Sequence, residues 1–481
     1  MNTILPIAFS LTDEQTLKNR FFTKKNVSVS FWGNYDFNLS KTTYQEQSEY
    51  LIQQYNDFGI DFILATSPDI CVILHDRSKD RTIIKADGIG YYPLYYTIKN
   101  NRLYFSSDLK TLAKEINSSI AQKAVSTYLH LNYLPGSSTF FNNINKIPPS
   151  HFLTFSKKSA QLHHYGCIFK KLSNQSEAEL KRSLHRRFQE IFERYKHQTV
   201  GIMISGGIDS SFLLSLASQH AKQIKTFVIG NKQHSPEQFK QCEKIAHYFK
   251  AQHHEVEISF KEYLRLFEPT FRYLNEPIFD VDLPIMNLVT SKIAKHCDII
   301  LHGFGSDEVF GGAPATFIMQ YLRGKRYCKT PLPRENILVK SALFSILNRV
   351  PQELAVHNRI CALNKATIKF PFLDYHIVKK GMSLPLALKL HNGTDKYLFR
   401  TLSLNELPKE IVFKRKISTG IPPLWRKAIV NNFKYLINTH GDSTSLSPHH
   451  LQSQSMLIKY IIFSLWQNEV TNPHECIDHL L

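Results

Sequence analysis

The chain has 481 residues, enough for two or three domains, and 43% of them are hydrophobic while 21% are charged, as in water-soluble globular proteins. Lysine and arginine number 59 against 40 aspartates and glutamates, a net charge of +19 that is scattered along the chain. Scattered charge without a long basic arm argues against nucleic acid and fits a surface that attracts anionic small molecules. No apolar run of about 18 residues predicts a membrane span, and the first ten residues do not form a signal peptide pattern.

The seven cysteines are odd in number, and no two of them form a Cys-x-x-Cys pair. A disulfide framework or a zinc site needs such pairing or clustering. The cysteine pattern therefore predicts reduced thiols in a cytoplasmic protein.

Residues 1–168 are rich in aromatic residues and in short runs typical of β-strands. Strands are predicted within residues 60–73 and 82–104, with turn signals at Asp87-Gly88 and Asn100-Asn101. A polar stretch at residues 172–180 then leads into a predicted helix over residues 177–195. This break predicts one domain over residues 1–170 and another over residues 176–481.

The second region alternates strand and helix, which is typical of an α/β fold with a parallel sheet covered on both faces. The predicted strands are residues 199–204, 225–229, 254–258 and 299–301, and the predicted helices between them are residues 212–221 and 236–250. Beyond about residue 320 the pattern is mostly helical, with a buried helix predicted around residues 456–466.

The first predicted strand runs into residues 205–210, Ser-Gly-Gly-Ile-Asp-Ser. A strand-to-helix turn presents free backbone N–H groups at the positive end of the helix, and glycines let an anion approach them. Asp209 fits this anion site if it holds a Mg²⁺ ion that bridges phosphates. The loop lacks the lysine of a G-x-x-x-x-G-K-[ST] loop, which favours pyrophosphate as a leaving group and hence adenylyl transfer from ATP.

A second glycine-rich segment, residues 302–312, follows the predicted strand at residues 299–301 and contains Asp307 and Glu308. Because the carboxyl ends of parallel strands meet at one edge of a sheet, this segment is expected to lie beside the first loop. Asp209 and Asp307 are therefore predicted to share one Mg²⁺ or to hold one each.

Together the two loops resemble the synthetase domain of the asparagine synthetase family, whose relatives include the β-lactam synthetases and the lasso-peptide macrocyclases. The resemblance covers nearly the whole chain. In the second region it extends to residues 275–280 (NEPIFD), 370–374 (FPFLD), 396–400 (KYLFR), 407–408 (LP) and 414–416 (KRK). In the first region, residues 87–96 (DGIGYYPLYY) and 105–110 (FSSDLK) resemble the glutaminase domain of that family.

The resemblance implies an N-terminal Ntn-hydrolase-like αββα domain and a C-terminal PP-loop domain of the adenine-nucleotide α-hydrolase type. It implies ATP binding in which adenine lies near Met203, Ile229 and the His302-Gly303 pair. Lys416 would stabilise charge on the adenylated intermediate. The predicted cofactor-binding residues are Met203, Ser205, Gly206, Gly207, Asp209, Ser210, Ile229, His302 and Gly303.

Several positions depart from the family pattern. Glutamine-using members carry a nucleophilic cysteine directly after Met1, whereas this chain has Asn2, and its first cysteine, Cys71, is predicted to be a buried strand residue. The Tyr–Glu pair that serves β-lactam closure would correspond to Phe304 and Thr367, neither of which can accept a proton at neutral pH. A degenerate glutaminase domain and no base at this position are therefore expected.

These departures favour an amine that the substrate itself brings, such as a peptide α-amine, whose pKa is roughly 8. The sequence thus predicts an AMP-forming ligase of the lasso-peptide macrocyclase kind, which would act on a precursor peptide with leader-handling proteins as partners. An ammonia-dependent asparagine synthetase, a β-lactam-synthetase-like ligase for a small carboxylate, and an inactive ATP-binding protein remain as alternatives.

Overall fold

The structure, a computed structural model, describes residues 8–10, 21–33, 43–166, 168–328, 332–414, 421–439 and 453–471. In the N-terminal region the strands are β1 Ala8–Ser10, β2 Phe22–Lys24, β3 Val27–Gly33, β4 Ile70–Asp76, β5 Arg81–Lys85, β6 Tyr95–Lys99, β7 Arg102–Ser106, β8 Asn145–Lys146, β9 His151–Ser156 and β10 Ser159–His164. The helices of this region are Tyr44–Phe58, Phe62–Ala65, Leu109–Glu115 and Gln122–Leu131.

These strands form two antiparallel sheets, one in the order β10-β9-β5-β4-β3-β2 and one in the order β1-β7-β6-β8. Side chains alternate between the faces of a strand, so Leu103 and Phe105 of β7 pack against Cys71 and Ile73 of β4, between the sheets. The helix Tyr44–Phe58 covers the outer face of the larger sheet, and two further helices cover the outer face of the smaller one. The predicted αββα architecture is confirmed.

The C-terminal region contains the strands β11 Thr199–Met203, β12 Gln223–Gly230, β13 Gln252–Glu257, β14 Ile299–Leu301 and β15 Ile368–Lys369, and the hairpin β16 Leu390–His391 and β17 Thr394–Asp395. Strands β11 to β15 form a parallel sheet in the order β13-β12-β11-β14-β15. The chain leaves β11 toward β12 on one side and returns to β14 on the other. This change of direction places a topological switch point, where ligands bind in open α/β sheets, between β11 and β14.

The helices of the C-terminal region are Glu177–Glu193, Ile208–His220, Pro236–Tyr248, Phe260–Tyr273, Leu283–Ile293, Ser306–Phe310, Pro314–Gly324, Ile337–Asn348, Val350–Leu363, Tyr375–Met382, Leu386–Lys389, Tyr397–Ser403, Lys409–Val412, Pro423–Asn432, Lys434–Thr439 and Gln454–Thr471. They cover both faces of the parallel sheet and form the helical part predicted beyond residue 320. Within the described ranges, every helix is too short or too polar to cross a lipid bilayer.

Two sequence predictions need correction. Residues 62–65 are helical rather than a strand, because Phe62 and Ile63 are adjacent and both face the core below the helix Tyr44–Phe58. The helix after the first loop begins at Ile208 rather than at residue 212, so Asp209 lies in its first turn.

The N-terminal region contacts the sheet behind the switch point. The Tyr91 hydroxyl donates to the carbonyl oxygen of Phe370 at 3.0 Å, and the Asn358 side chain donates to the carbonyl oxygen of Tyr91 at 2.9 Å. Arg187 and Asp374 form an ion pair at 2.6 Å within the C-terminal region, beside this contact. The segment that connects β5 and β6 in the N-terminal region therefore supports the chain at the end of β15.

Candidate functional site

A cleft of about 640 Å³ opens at the carboxyl ends of β11, β12 and β14, at the switch point of the parallel sheet. Its lining includes eight of the residues predicted from the sequence: Met203, Ser205, Asp209, Ser210, Ile229, His302, Gly303 and Asp307. Gly206 and Gly207 lie in the same loop, between Ser205 and the helix that starts at Ile208. The structure thus brings the predicted nucleotide and metal residues together at the cleft, with Asp209 and Asp307 at the phosphate end and the His302 ring toward His357.

The first loop is held open by its own hydrogen bonds. Gly206 has φ +76°, a left-handed conformation that glycine adopts without strain, and its carbonyl oxygen accepts from the Gln241 side chain at 2.9 Å. The Ser205 backbone N–H donates to the Ser210 hydroxyl at 3.2 Å. This turn directs the loop and the first turn of the following helix toward the cleft, where the helix dipole favours an anion.

Lys396 lies between the two predicted metal residues. Its ammonium group donates to Asp209 at 2.7 and 2.9 Å and to Asp307 at 2.7 Å, and the Ser306 hydroxyl donates to Asp209 at 2.6 Å. Burial alone would lower the pKa of Lys396, but the carboxylates of Asp209 and Asp307 hold it above its ordinary value. Lys396 therefore stays protonated between the two carboxylates, a role that its sequence motif alone does not indicate.

The second loop fits closely around this cluster. A side chain at Gly312 would place its Cβ 2.0 Å from Asp307 Oδ1 and 2.4 Å from Lys396 Cε, so only glycine fits there. Gly303 approaches the first loop, where an added Cβ would lie 3.2 Å from the Cβ of Asp209. The two loops are packed as one unit at the end of the sheet.

The donor set suits magnesium only in part. In the part of the chain that the structure describes, no group of three or more His, Cys, Asp or Glu side chains is arranged to hold a metal ion. Asp209 and Asp307 nevertheless suit a Mg²⁺ ion that arrives with phosphates, because such ions take one or two protein carboxylates and fill the remaining positions with phosphate and water oxygens. These two residues fit a nucleotide-bound magnesium ion rather than a dedicated protein cage.

The far end of the cleft contains a second charged cluster, which the sequence had not indicated. The guanidinium group of Arg349 forms ion pairs with Glu308 and with Glu353. Burial raises the pKa of Glu308 to about 7 although Arg349 opposes this shift, and burial likewise raises the pKa of Glu353 against the effect of Arg349. All three side chains line the cleft.

Aromatic rings and two histidines complete this end. Phe304 packs nearly parallel to His357, with ring centroids 5.9 Å apart, and the Arg349 guanidinium lies 5.9 Å from the centroid of the Phe304 ring. Burial lowers the pKa of His302 to about 3 and also lowers the pKa of His357, so both rings are neutral at pH 7. The far end thus presents apolar surface together with uncharged imidazoles.

Phe304 itself offers no proton acceptor, but Glu308, Glu353 and His357 line the same cleft. The two residues that correspond to the Tyr–Glu pair, Phe304 and Thr367, do not lie together. Thr367 is exposed at the amino end of β15, where its carbonyl oxygen accepts from the N–H of Ile300, and the cleft opens at the opposite end of the sheet.

One signal for the missed cluster was present in the sequence. Arg349, Glu353 and His357 follow one another at intervals of four residues, which places them on one face of the helix Val350–Leu363 and the residue that precedes it. What the sequence alone did not reveal is that this helix face packs against the second loop.

Two sequence predictions concern other parts of the chain. Cys71 is fully buried in β4, as predicted, and burial raises its pKa well above the ordinary value of a thiol. Lys416 lies outside the described residues, so its proposed catalytic role stays a prediction. None of the five cysteines among the described residues forms a disulfide bond.

Comparison with known proteins identifies the family. Residues 180–340 and 332–455 match the asparagine synthase family, and residues 35–166 match the glutamine amidotransferase domain family. The first match covers more than half of the chain. The protein therefore belongs to the asparagine synthase family.

The similar curated proteins are distant relatives. Asparagine synthetase (glutamine-hydrolyzing) 1 of Bacillus subtilis strain 168 is 23% identical over 411 residues, covering 70% of this chain and 65% of the relative. Putative asparagine synthetase (glutamine-hydrolyzing) 2 of Methanocaldococcus jannaschii is 26% identical, covering 60% of this chain and 57% of the relative. Asparagine synthetase (glutamine-hydrolyzing) of Gallus gallus is 30% identical, covering 47% and 40%. In these alignments the chain spans about two thirds of the relatives' length or less.

Proposed function

We propose that this protein is an ATP-dependent carboxylate–amine ligase that releases AMP and pyrophosphate. The observation that carries the proposal is the cluster of Asp209, Lys396 and Asp307 beneath the loop at residues 205–210, at one end of the cleft. It combines backbone N–H groups, a buried ammonium group and two carboxylates, which are the groups that a departing pyrophosphate requires.

In the first half-reaction, a carboxylate oxygen of the substrate attacks the α-phosphorus of ATP, and the bond from that phosphorus to the pyrophosphate oxygen breaks. The N–H groups at the start of the helix Ile208–His220 bind the pyrophosphate. Lys396 turns from the carboxylates toward the developing negative charge, which frees Asp209 and Asp307. A magnesium ion bound with ATP at these two residues would neutralise phosphate charge.

In the second half-reaction, an amine attacks the acyl-adenylate at the far end of the cleft. Among the described residues that line the cleft are four acidic side chains, Asp280, Asp282, Glu308 and Glu353, and one arginine, Arg349. This negative balance favours a substrate that brings a cationic amine. Phe304 and Phe317 offer apolar contact area to a bulky substrate.

On this basis we propose that the amine belongs to a peptide, and that the enzyme is a lasso-peptide macrocyclase which joins an Asp or Glu side chain of a precursor peptide to its α-amine. The size of the cleft and its aromatic lining, to which Phe304 and Phe317 contribute, support this form. Leader-handling proteins would then be partners. Asparagine synthesis from free ammonia is the second candidate, which the names of the relatives favour.

The test is to incubate the purified protein with ATP and Mg²⁺, and with one of two substrate sets. The first set is synthetic linear peptides that carry a free α-amine and one internal aspartate or glutamate, and the second is aspartate with ammonium chloride. We expect pyrophosphate and AMP with the peptides, together with a product that is 18 Da lighter, the mass of one water. A matched peptide with an acetylated α-amine should give pyrophosphate without the lighter product.

The other outcomes decide between the alternatives. Asparagine formed from aspartate and ammonium, with no peptide product, would replace the macrocyclase by an ammonia-dependent asparagine synthetase. Turnover of a small carboxylate alone would indicate a ligase of the β-lactam synthetase kind. Binding of ATP without release of pyrophosphate from any set would indicate an inactive ATP-binding protein and would reject the proposal.

A further inference from the structure

Amide formation requires a group that takes a proton from the attacking amine, and two carboxylates at the far end of the cleft are already engaged in ion pairs. Glu308 and Glu353 both pair with the guanidinium group of Arg349, whose side chain is only 16% exposed. A buried ion pair becomes strongly destabilising when one partner loses its charge, because the other charge is left uncompensated. Protonation of either glutamate would remove half of the charge that compensates Arg349.

His357, in contrast, is neutral and has a defined tautomer. Its Nδ1 lies 2.6 Å from the carbonyl oxygen of Glu353, one turn earlier in the same helix. A carbonyl oxygen can only accept a hydrogen bond, so Nδ1 carries the proton. The lone pair of the neutral ring therefore lies on Nε2, and the residue lines the cleft.

Four groups from neighbouring segments act on this ring. The Phe304 ring lies 5.9 Å away and nearly parallel, and the Phe370 ring meets it edge-on at 5.7 Å. His302, at 5.7 Å, accepts the N–H of Phe304 at Nδ1, so its own proton lies on Nε2 and its ring is neutral. Burial lowers the pKa of His357, while the charge of Asp280 opposes this shift.

From this geometry we propose that His357 is the general base of the amide-forming step, with Asp280 stabilising the imidazolium that forms. The inference rests on the proposed function and names the proton acceptor of the same site. The amine nitrogen forms a bond to the acyl carbon, and the bond from that carbon to the AMP oxygen breaks with its electron pair on AMP. The amine enters this step in its neutral form, after its ammonium proton has passed to solvent, and one further proton passes from the nitrogen to Nε2 of His357.

The test separates the two half-reactions in the full-length protein, with the synthetic peptide as probe. Adenylation is measured by ATP–pyrophosphate exchange, and amide formation by mass spectrometry. The variant His357→Asn keeps a donor for the Glu353 carbonyl but lacks Nε2. We expect exchange to stay within about twofold and amide formation to fall by about 10²–10⁴-fold, the usual contribution of a general base.

Two further variants distinguish catalysis from structural support. His357→Ala should regain part of its amide formation when imidazole is added, which a purely structural residue would not show. The control is His75→Asn, since burial lowers the pKa of His75 as it does that of His357, but His75 is only half-buried and lies in β4 of the N-terminal region. The control should leave both half-reactions unchanged.

The pH profile gives an independent readout. In the wild type, amide formation should decline below the pKa of His357, which lies under the ordinary value of 6.5, and this decline should vanish in His357→Ala. Equal loss of exchange and amide formation in His357→Asn, or loss of neither, would overturn the inference.

If the wild type shows no ATP–pyrophosphate exchange with the peptide, this result rejects the proposed peptide substrate and not the role of His357. The histidine is then judged by ¹⁵N NMR of the protein without substrate. A proton on Nε2 of His357 at pH 7 would overturn the inference, whereas an unprotonated Nε2 supports it.

Discussion

Both ends of the cleft contain a cation between two carboxylates, but the two clusters differ in what the cation can do. At the phosphate end, Lys396 lies between Asp209 and Asp307. At the far end, Arg349 lies between Glu308 and Glu353. An ammonium group is a compact charge on a flexible stem, whereas a guanidinium group is a planar fork that fits carboxylates in fixed geometry.

The short helix Ser306–Phe310 connects the clusters, because Asp307 belongs to one and its neighbour Glu308 to the other. Asp209 and Asp307 remain 23% exposed, so a phosphate-bound cation can reach them. Glu308 is only 2% exposed and stays with Arg349. We therefore expect the phosphate end to exchange its cation during turnover, whereas the ion pairs of Arg349 at the far end stay intact.

The largest effect is expected from removal of the fixed cation. Arg349→Met should lower the free energy of unfolding by about 3–5 kcal/mol, because Glu308 and Glu353 are left as uncompensated buried charges. Chemical denaturation measures the change. The triple variant that adds Glu308→Gln and Glu353→Gln should recover most of the loss, and a triple variant as unstable as Arg349→Met would contradict a charge-based explanation.

Lys396→Met tests the exchangeable cation. We expect pyrophosphate release to fall by about 10²–10³-fold, the cost of removing one preorganised donor to a developing negative charge. The matched control is Lys389→Met, since Lys389 is equally buried but its ammonium group donates to the carbonyl oxygen of Val309. Retained activity in the control and lost activity in Lys396→Met would separate the role of charge from that of burial.

The same variant also probes the metal. Without the ammonium group, Asp209 and Asp307 repel each other and should bind a divalent cation more readily. Addition of Mg²⁺ without nucleotide should therefore raise the Tm of Lys396→Met more than that of the wild type. Equal shifts in thermal unfolding would show that these carboxylates do not form the metal site.

We expect His302, at the far end, to make the free energy of unfolding depend on pH. The pKa of His302 is lowered to about 3 by burial, against an ordinary value of 6.5, so the unfolded chain binds an extra proton between these pH values. The contribution of His302 to the free energy of unfolding is therefore fully present above about pH 6.5. It decreases as the pH falls toward 3, by up to about 1.4 kcal/mol per pH unit. His302→Gln should flatten this slope, whereas the exposed control His130→Gln should not.

The sequence predicts the phosphate end of the cleft better than the far end, because the two ends are formed by different kinds of structure. The phosphate end consists of two loops that directly follow strands, so its motifs and the edge rule for parallel sheets place Asp209 and Asp307 together. Lys396 was missed because it enters from about 85 residues farther along the chain, at the start of the helix Tyr397–Ser403. Its left-handed backbone, with φ +51°, is a tertiary feature that no local pattern predicts.

The far end depends on packing between helices, which sequence periodicity does not specify. The spacing of Arg349, Glu353 and His357 predicts a shared helix face, but not that the second loop lies against it. The position of Thr367 is likewise set by tertiary structure. Its place beside a family motif suggested the site, whereas strand direction puts it at the opposite end of the sheet.

The smallest predicted effect concerns the support of the far end by the N-terminal region. The Tyr91 hydroxyl donates to the carbonyl oxygen of Phe370 at 3.0 Å, and the Phe370 ring packs against His302, His357 and Phe304. Tyr91→Phe removes one neutral hydrogen bond, which is worth about 1 kcal/mol of stability. Because the Phe370 ring contacts His302, His357 and Phe304 at the far end, we expect amide formation to fall by a few fold while ATP–pyrophosphate exchange stays unchanged.

Tyr165→Phe is the matched control for this prediction, since its hydroxyl donates to the carbonyl oxygen of Ala86 at 2.7 Å, inside the N-terminal region. It should cost a similar amount of stability without altering either half-reaction. If both variants change amide formation alike, the effect follows general stability and the N-terminal region does not act on the far end. If Tyr91→Phe also slows ATP–pyrophosphate exchange, the two ends of the cleft are coupled through β15. That result would contradict the contrast between a fixed cluster at the far end and an exchangeable cluster at the phosphate end.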